Sequence, residues 1–149
     1  MIKKILVPTD GSELAENAAD FAIDMAKNSG ASLIFLNVVD EVSPAFAYEL
    51  ESGASLDMTE IQRQRDLAAQ DIVERLRKHA ESAGLPARGM VTNGHPSEQI
   101  LEVADRENAS HIVIGSHGRR ALAAAVLGNV TFNVIHGSKV PVTVIPRPK

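Results

Sequence analysis

The sequence contains no cysteine and no tryptophan, one tyrosine and four phenylalanines. The first absence excludes disulfides, thiolate nucleophiles and cysteine-ligated zinc. Aromatic residues are 3% of the chain although 44% is hydrophobic. A core must therefore be built from Val, Ile, Leu and Ala, as in parallel sheets covered by helices. Positive charge is in deficit: 15 Lys and Arg against 19 Asp and Glu give a formal net charge of -4. The basic footprint of a general nucleic-acid binder is missing, and no nucleic-acid partner is expected. No apolar run approaches the roughly 20 residues of a membrane span; the longest, Ala121 to Leu127, covers barely two helical turns, so no membrane association is expected. Met1 to Lys4 leads straight into apolar Ile5-Leu6-Val7 without a signal-peptide pattern. The expected address is the cytoplasm. A length of 149 residues suits one domain, residues 1–149.

The hydrophobic pattern alternates between short apolar runs and helical periods. Ile5 to Val7 reads as a strand ending near Pro8, where Thr9-Asp10-Gly11-Ser12 forms a turn. Leu14, Ala18, Phe21, Ala22 and Met25 then recur at helical spacing. Ser12 suits the N-cap, Glu13 and Glu16 suit the first turn, and Gly30 suits the stop. Leu33 to Val39 is a second, buried strand. Asp40 to Leu56 has no clear period and reads as a lid or loop. Asp57 with Glu60 opens a long helix whose apolar face carries Ile61, Ala68, Ile72, Leu76 and Ala83. Arg88 to Thr92 is a third strand. Pro96 starts a helix with the stripe Ile100, Leu101, Ala104. His111 to Ile114 is a fourth strand, and a helix opening at Gly128 presents Val130, Val134 and Ile135. Pro141 to Ile145 is a fifth strand, at an edge because Pro cannot donate to a ladder. The reading is α/β: an open twisted five-stranded parallel sheet, order 3-2-1-4-5, with helices on both faces.

In such sheets ligands bind beyond the strands' carboxyl ends, where strand order reverses. Strands 1 and 4 flank that point, and both end in unusual polar punctuation: Pro8-Thr9-Asp10-Gly11-Ser12 and Gly115-Ser116-His117-Gly118. Gly115 is followed by Gly118 two residues on and by Gly128 nine residues later. Glycines let main-chain amides approach a ligand, and the first amides of a helix suit a phosphate. Asn129 and Thr131 add short polar groups at that helix start, and Arg119 and Arg120 bring positive charge. No P-loop, no G-x-G-x-x-G after strand 1 and no G-x-S-x-G elbow competes. The histidines show no metal-ligand spacing, and no catalytic residue can be assigned.

These residues resemble the universal stress protein family. Ile5 to Ser12 is similar to its opening signature, and Gly115-x2-Gly118-x9-Gly128 resembles its ATP-binding motif, which normally finishes with Ser or Thr. His111 to Gly118 and Val140 to Ile145 are also close to family wording, so the resemblance spans essentially the whole chain. It implies a Rossmann-like, adenine nucleotide alpha hydrolase-like fold and an ATP site. Asp10, with Pro8 and Thr9, is expected near ribose and phosphates, holding magnesium. Val38 is expected to offer backbone groups to adenine. Gly115, Ser116, His117 and Gly118 would wrap the phosphates, and Gly128, Asn129 and Val130 would complete the cradle. The family also implies a homodimer paired through the last strands, and an apolar exposed edge independently permits one. Asn129 departs from the pattern. Its amide can donate and cap a helix, but it has no hydroxyl to offer.

The leading functional expectation is an ATP-binding stress-response regulator acting on a protein partner. The rivals are a slow ATPase and a nucleotide-free dimeric interaction module in which Asn129 marks loss of the site.

Overall fold

The computed structural model describes residues 1–40, 48, 58–118 and 127–147. Its elements run β1 (Lys4–Pro8), α1 (Glu13–Ser29), β2 (Ser32–Val39), α2 (Met58–Ser82), β3 (Ala87–Asn93), α3 (Pro96–Arg106), β4 (His111–Gly115), α4 (Asn129–Gly137) and β5 (Val142–Ile145). All strands pair parallel in the order β3-β2-β1-β4-β5. The expected topology and edge position of β5 are therefore present. Chain order reverses between β1 and β4, where Ile5 lies opposite His111 and Leu6 opposite Ile112.

Strand alternation divides the core into two layers. Ile5, Val7, Leu33, Phe35 and Val113 face α1 and α2, while Leu6, Ile34, Leu36, Ile112 and Ile114 face α3 and α4. Nine of these ten side chains, all but Ile114, are essentially inaccessible, and burying each is worth about 1.5–3 kcal/mol. At the foot of β4, burial lowers the pKa of His111, whose Nε2 lies 2.7 Å from Thr143 Oγ1 on β5. α1 is capped as its sequence predicts: Ser12 Oγ accepts from the Ala15 amide, and Gly30 sits in the left-handed conformation with φ of 73°.

Some helix faces differ from expectation. On α1, Ala15, Ala19, Ile23 and Ala26 join Ala18 and Ala22 in the core, while Phe21 is 46% exposed. The small alanines let the helix lie close to the sheet and leave the ring outside. On α4, Val134 is fully buried but Ile135 is turned outward. On α2 the buried stripe is Ala69, Val73 and Ala80, and Ala68 and Ala83 are exposed. Gly89 on β3 explains the rotation. A Cβ there would stand 2.9 Å from Val73 Cγ2, so the bare strand receives Val73 directly. The expected lid at Asp40–Leu56 and the capping pair's Asp57 lie outside the described residues, except Asp40 and Tyr48.

Candidate functional site

The turn after β1 is held by its own short polar side chains. The Thr9 amide donates to Leu36 O (2.8 Å), extending the ladder by one residue. Thr9 Oγ1 accepts from the Gly11 amide (3.2 Å), and Asp10 Oδ1 accepts from the Ser12 amide (2.9 Å). Asp and Thr favour such local bonds to the backbone. Together they fix the Asp10 carboxylate, with one oxygen tied into the turn.

The tip of β4 is tied from three sides. The Ser116 amide donates to Ile145 O on β5 (2.8 Å), and Ser116 O accepts from the Gly128 amide (2.7 Å). Thr131 Oγ1, in the first turn of α4, donates to Gly115 O (2.7 Å). The start of α4 is thus brought back onto the end of β4. Gly128 is its N-cap and has no side chain to accept from the first helical amides, so these remain directed outward. Asn129, expected as a capping group, instead occupies the first helical position and is exposed, because Gly128 already holds the cap.

The two tips meet. A Cβ placed on Gly118 would lie 2.9 Å from Asp10 Oδ2. Beside this junction opens a cavity of about 380 Å³, within the range of small-molecule pockets. Its polar and backbone-rich lining comes from Thr9, Asp10, Gly115, His117, Gly118 and Thr131. Its apolar lining comes from Leu36, Val38 and Val39 of β2, Ala68, Ala69 and Ile72 of α2, and Ile100 of α3. Helix α2 joins two parallel strands and so runs against them, which sets its early turns beside the strands' carboxyl ends. The site combines a pocket fit for a flat apolar ring with a backbone-rich end fit for an anion.

The sequence profile of the universal stress protein family matches residues 1–146. The chain belongs to the universal stress protein family. It is 34% identical to a universal stress protein of Methanocaldococcus jannaschii over 149 residues, covering all of this chain and 85% of that one. The solved structure of a second Methanocaldococcus jannaschii universal stress protein superposes with a TM-score of 0.85 at 34% identity, over 100% of this chain and 99% of the other. A universal stress protein solved in complex with cAMP gives a TM-score of 0.68 at 25% identity, over 97% of both chains.

In this universal stress protein the expected residues separate into three groups. Pro8, Thr9, Asp10, Val38, Gly115, His117, Gly118, Val130 and Thr131 line the cavity. Ser116, Gly128 and Asn129 do not. Ser116 is 4% exposed, and its hydroxyl lies 2.8 Å from His117 Nδ1. With its amide and carbonyl also engaged, it braces the tip. Gly128 abuts His117 Cα and Ser116 O. Arg119, with Arg120, lies outside the described residues. The Thr131 hydroxyl, expected to face a phosphate, is committed to Gly115 O. Sequence reasoning missed Asp40, Arg65 and Pro96 as cavity residues. It noticed Ala68 and Ile72 but took them for core. The usable signal was the position of α2 early after β2, on a crossover that must pass the sheet's carboxyl edge.

Proposed function

We propose that residues 1–149 form a single nucleotide-binding domain that takes ATP with magnesium, and that ATP occupancy regulates its contact with a protein partner. The observation that carries this reading is the 2.9 Å approach of a Gly118 Cβ position to Asp10 Oδ2, beside an α4 start capped only by Gly128. Main-chain amides and a carboxylate there face one small space, which suits a phosphate and its counter-ion. The base would lie between Val38 and the α2 wall. A relative at 25% identity takes cAMP, another adenine nucleotide, which favours adenine for that end.

Among the described residues no group of three His, Cys, Asp or Glu side chains could hold a metal. Magnesium does not need one: it is usually held by one or two carboxylates together with substrate phosphates and water. Asp10 fits that role, and bound magnesium would neutralise phosphate charge there. In this reading the protein works in the cytoplasm as a homodimer paired through β5. The apolar edge residues Val142, Val144 and Ile145 are only partly buried in one chain, which supports that pairing.

Calorimetric titration with ATP, with and without magnesium, tests the proposal, alongside mass spectrometry of any copurifying nucleotide. Binding is expected to tighten with magnesium in the wild type. In Asp10→Asn most of the magnesium-dependent increment is expected to disappear. No heat signal and no copurifying nucleotide would overturn the reading.

A further inference from the structure

We propose that Arg65 is the residue that adapts this cavity to anionic rather than uncharged ligands, an assignment that rests on the nucleotide-binding reading above. Among the described lining residues, Asp10 and Asp40 carry negative charge and Arg65 is the one permanent cation. In a cavity that carries carboxylates, within a chain of net charge -4, a full positive charge favours an anionic ligand over an uncharged one. The amides of α4 supply partial positive charge at the polar end. Arg65 supplies a full charge from the facing wall.

Its neighbours on α2 show that Arg65 is not an ordinary surface arginine. Arg63 holds Glu60 at 2.6 Å, Arg75 holds Asp71 at 3.5 Å, and Arg77 holds both Glu74 and Glu81 at 2.7 and 2.6 Å. Each of these acids lies three or four residues away, where helical side chains meet. The same positions around Arg65 carry Ile61, Gln62, Ala68 and Ala69. No carboxylate lies within ion-pair distance of Arg65 among the described residues. Instead it lines the cavity, two helical turns before Ile72 on α2. A guanidinium carries five donors and no acceptor, stays charged at all relevant pH, and matches phosphate oxygens well.

The test is calorimetry on the full chain with ATP and with adenosine, for wild type, Arg65→Gln and Arg65→Lys. Arg65→Gln should weaken ATP by about tenfold, the size expected for one partly screened charge, while adenosine changes by less than about twofold. The ATP loss should shrink when salt is raised to about 0.5 M, and Arg65→Lys should retain most of the ATP affinity. Circular dichroism should show the same fold in all three proteins, since Arg65 belongs to neither apolar core cluster. If the wild type binds ATP and Arg65→Gln binds it equally well, or if ATP and adenosine lose the same factor, the assignment is overturned while nucleotide binding stands. If the wild type binds neither ligand, the nucleotide-binding reading fails and this assignment fails with it.

Discussion

The two ends of the crevice are made from different materials. At the β4–α4 end the chain presents its backbone: Gly115, Gly118 and the first amides of α4, locked by the Ser116–Ile145, Gly128–Ser116 and Thr131–Gly115 bonds of 2.7–2.8 Å. At the β2–α2 end it presents side chains: Val38, Ala68, Ala69, Ile72 and, at the mouth, Arg65. A backbone cradle recognises charge and geometry with little regard to which side chains surround it. A side-chain wall recognises shape, and can be retuned one residue at a time. In the proposed nucleotide reading, one end would hold what nucleotides share, and the other would decide which of them enters.

Gly118→Val attacks the backbone end and should have the largest effect. Its Cβ would stand 2.9 Å from Asp10 Oδ2. Asp10 cannot retreat without breaking its bond to the Ser12 amide. Overpacking of this kind costs about 1–3 kcal/mol, and the upper end corresponds to roughly a hundredfold in ATP affinity. Adenosine, which has no phosphate to seat, should lose far less. A branched side chain there would both fill the space proposed for phosphate and press on the carboxylate. Equal ATP affinity in a folded Gly118→Val protein would remove the cradle from the argument.

Ala68→Leu attacks the other end. Ala68 is exposed on α2 yet lines the cavity, so extra bulk enters the slot without disturbing the core. ATP and adenosine should weaken together, by about tenfold, with stability unchanged to within about 0.5 kcal/mol. A loss confined to ATP would mean that the base does not lie against this wall.

That contrast also explains what could be read from the residues alone. The backbone end was visible because main-chain recognition needs glycines, and glycines at Gly115, Gly118 and Gly128 leave a countable spacing. The sheet order was visible because five apolar runs alternate with helical periods, and both strand ends at the switch point carry polar turns. The α2 end was not visible. Ala68 and Ile72 fit a core stripe as well as a cavity wall, and the choice between Ala68 and Ala69 turns on Gly89 admitting Val73 from a strand sixteen residues later. Periodicity finds a helix's apolar side but cannot say whether that side meets protein or a cavity. Arg65 carries no signal in the sequence for the same reason: nothing local distinguishes an arginine beside a cavity from one facing water.

Asn129→Ser sharpens the comparison by touching the backbone end without altering its backbone. The family motif normally has Ser or Thr at this position, and a hydroxyl would be expected to matter if side chains did the holding. In this structure Asn129 is exposed at the first helical position, Gly128 is the cap, and the Asn129 side chain does not line the cavity. In the proposed reading position 129 would contribute no more than its main-chain amide, which Ser and Asn share. ATP affinity should therefore stay within about threefold of the wild type, a difference below 1 kcal/mol, with any change toward tighter binding. A large loss in Asn129→Ser would show that the carboxamide itself grips the ligand, and the cradle would then owe its strength to a side chain after all.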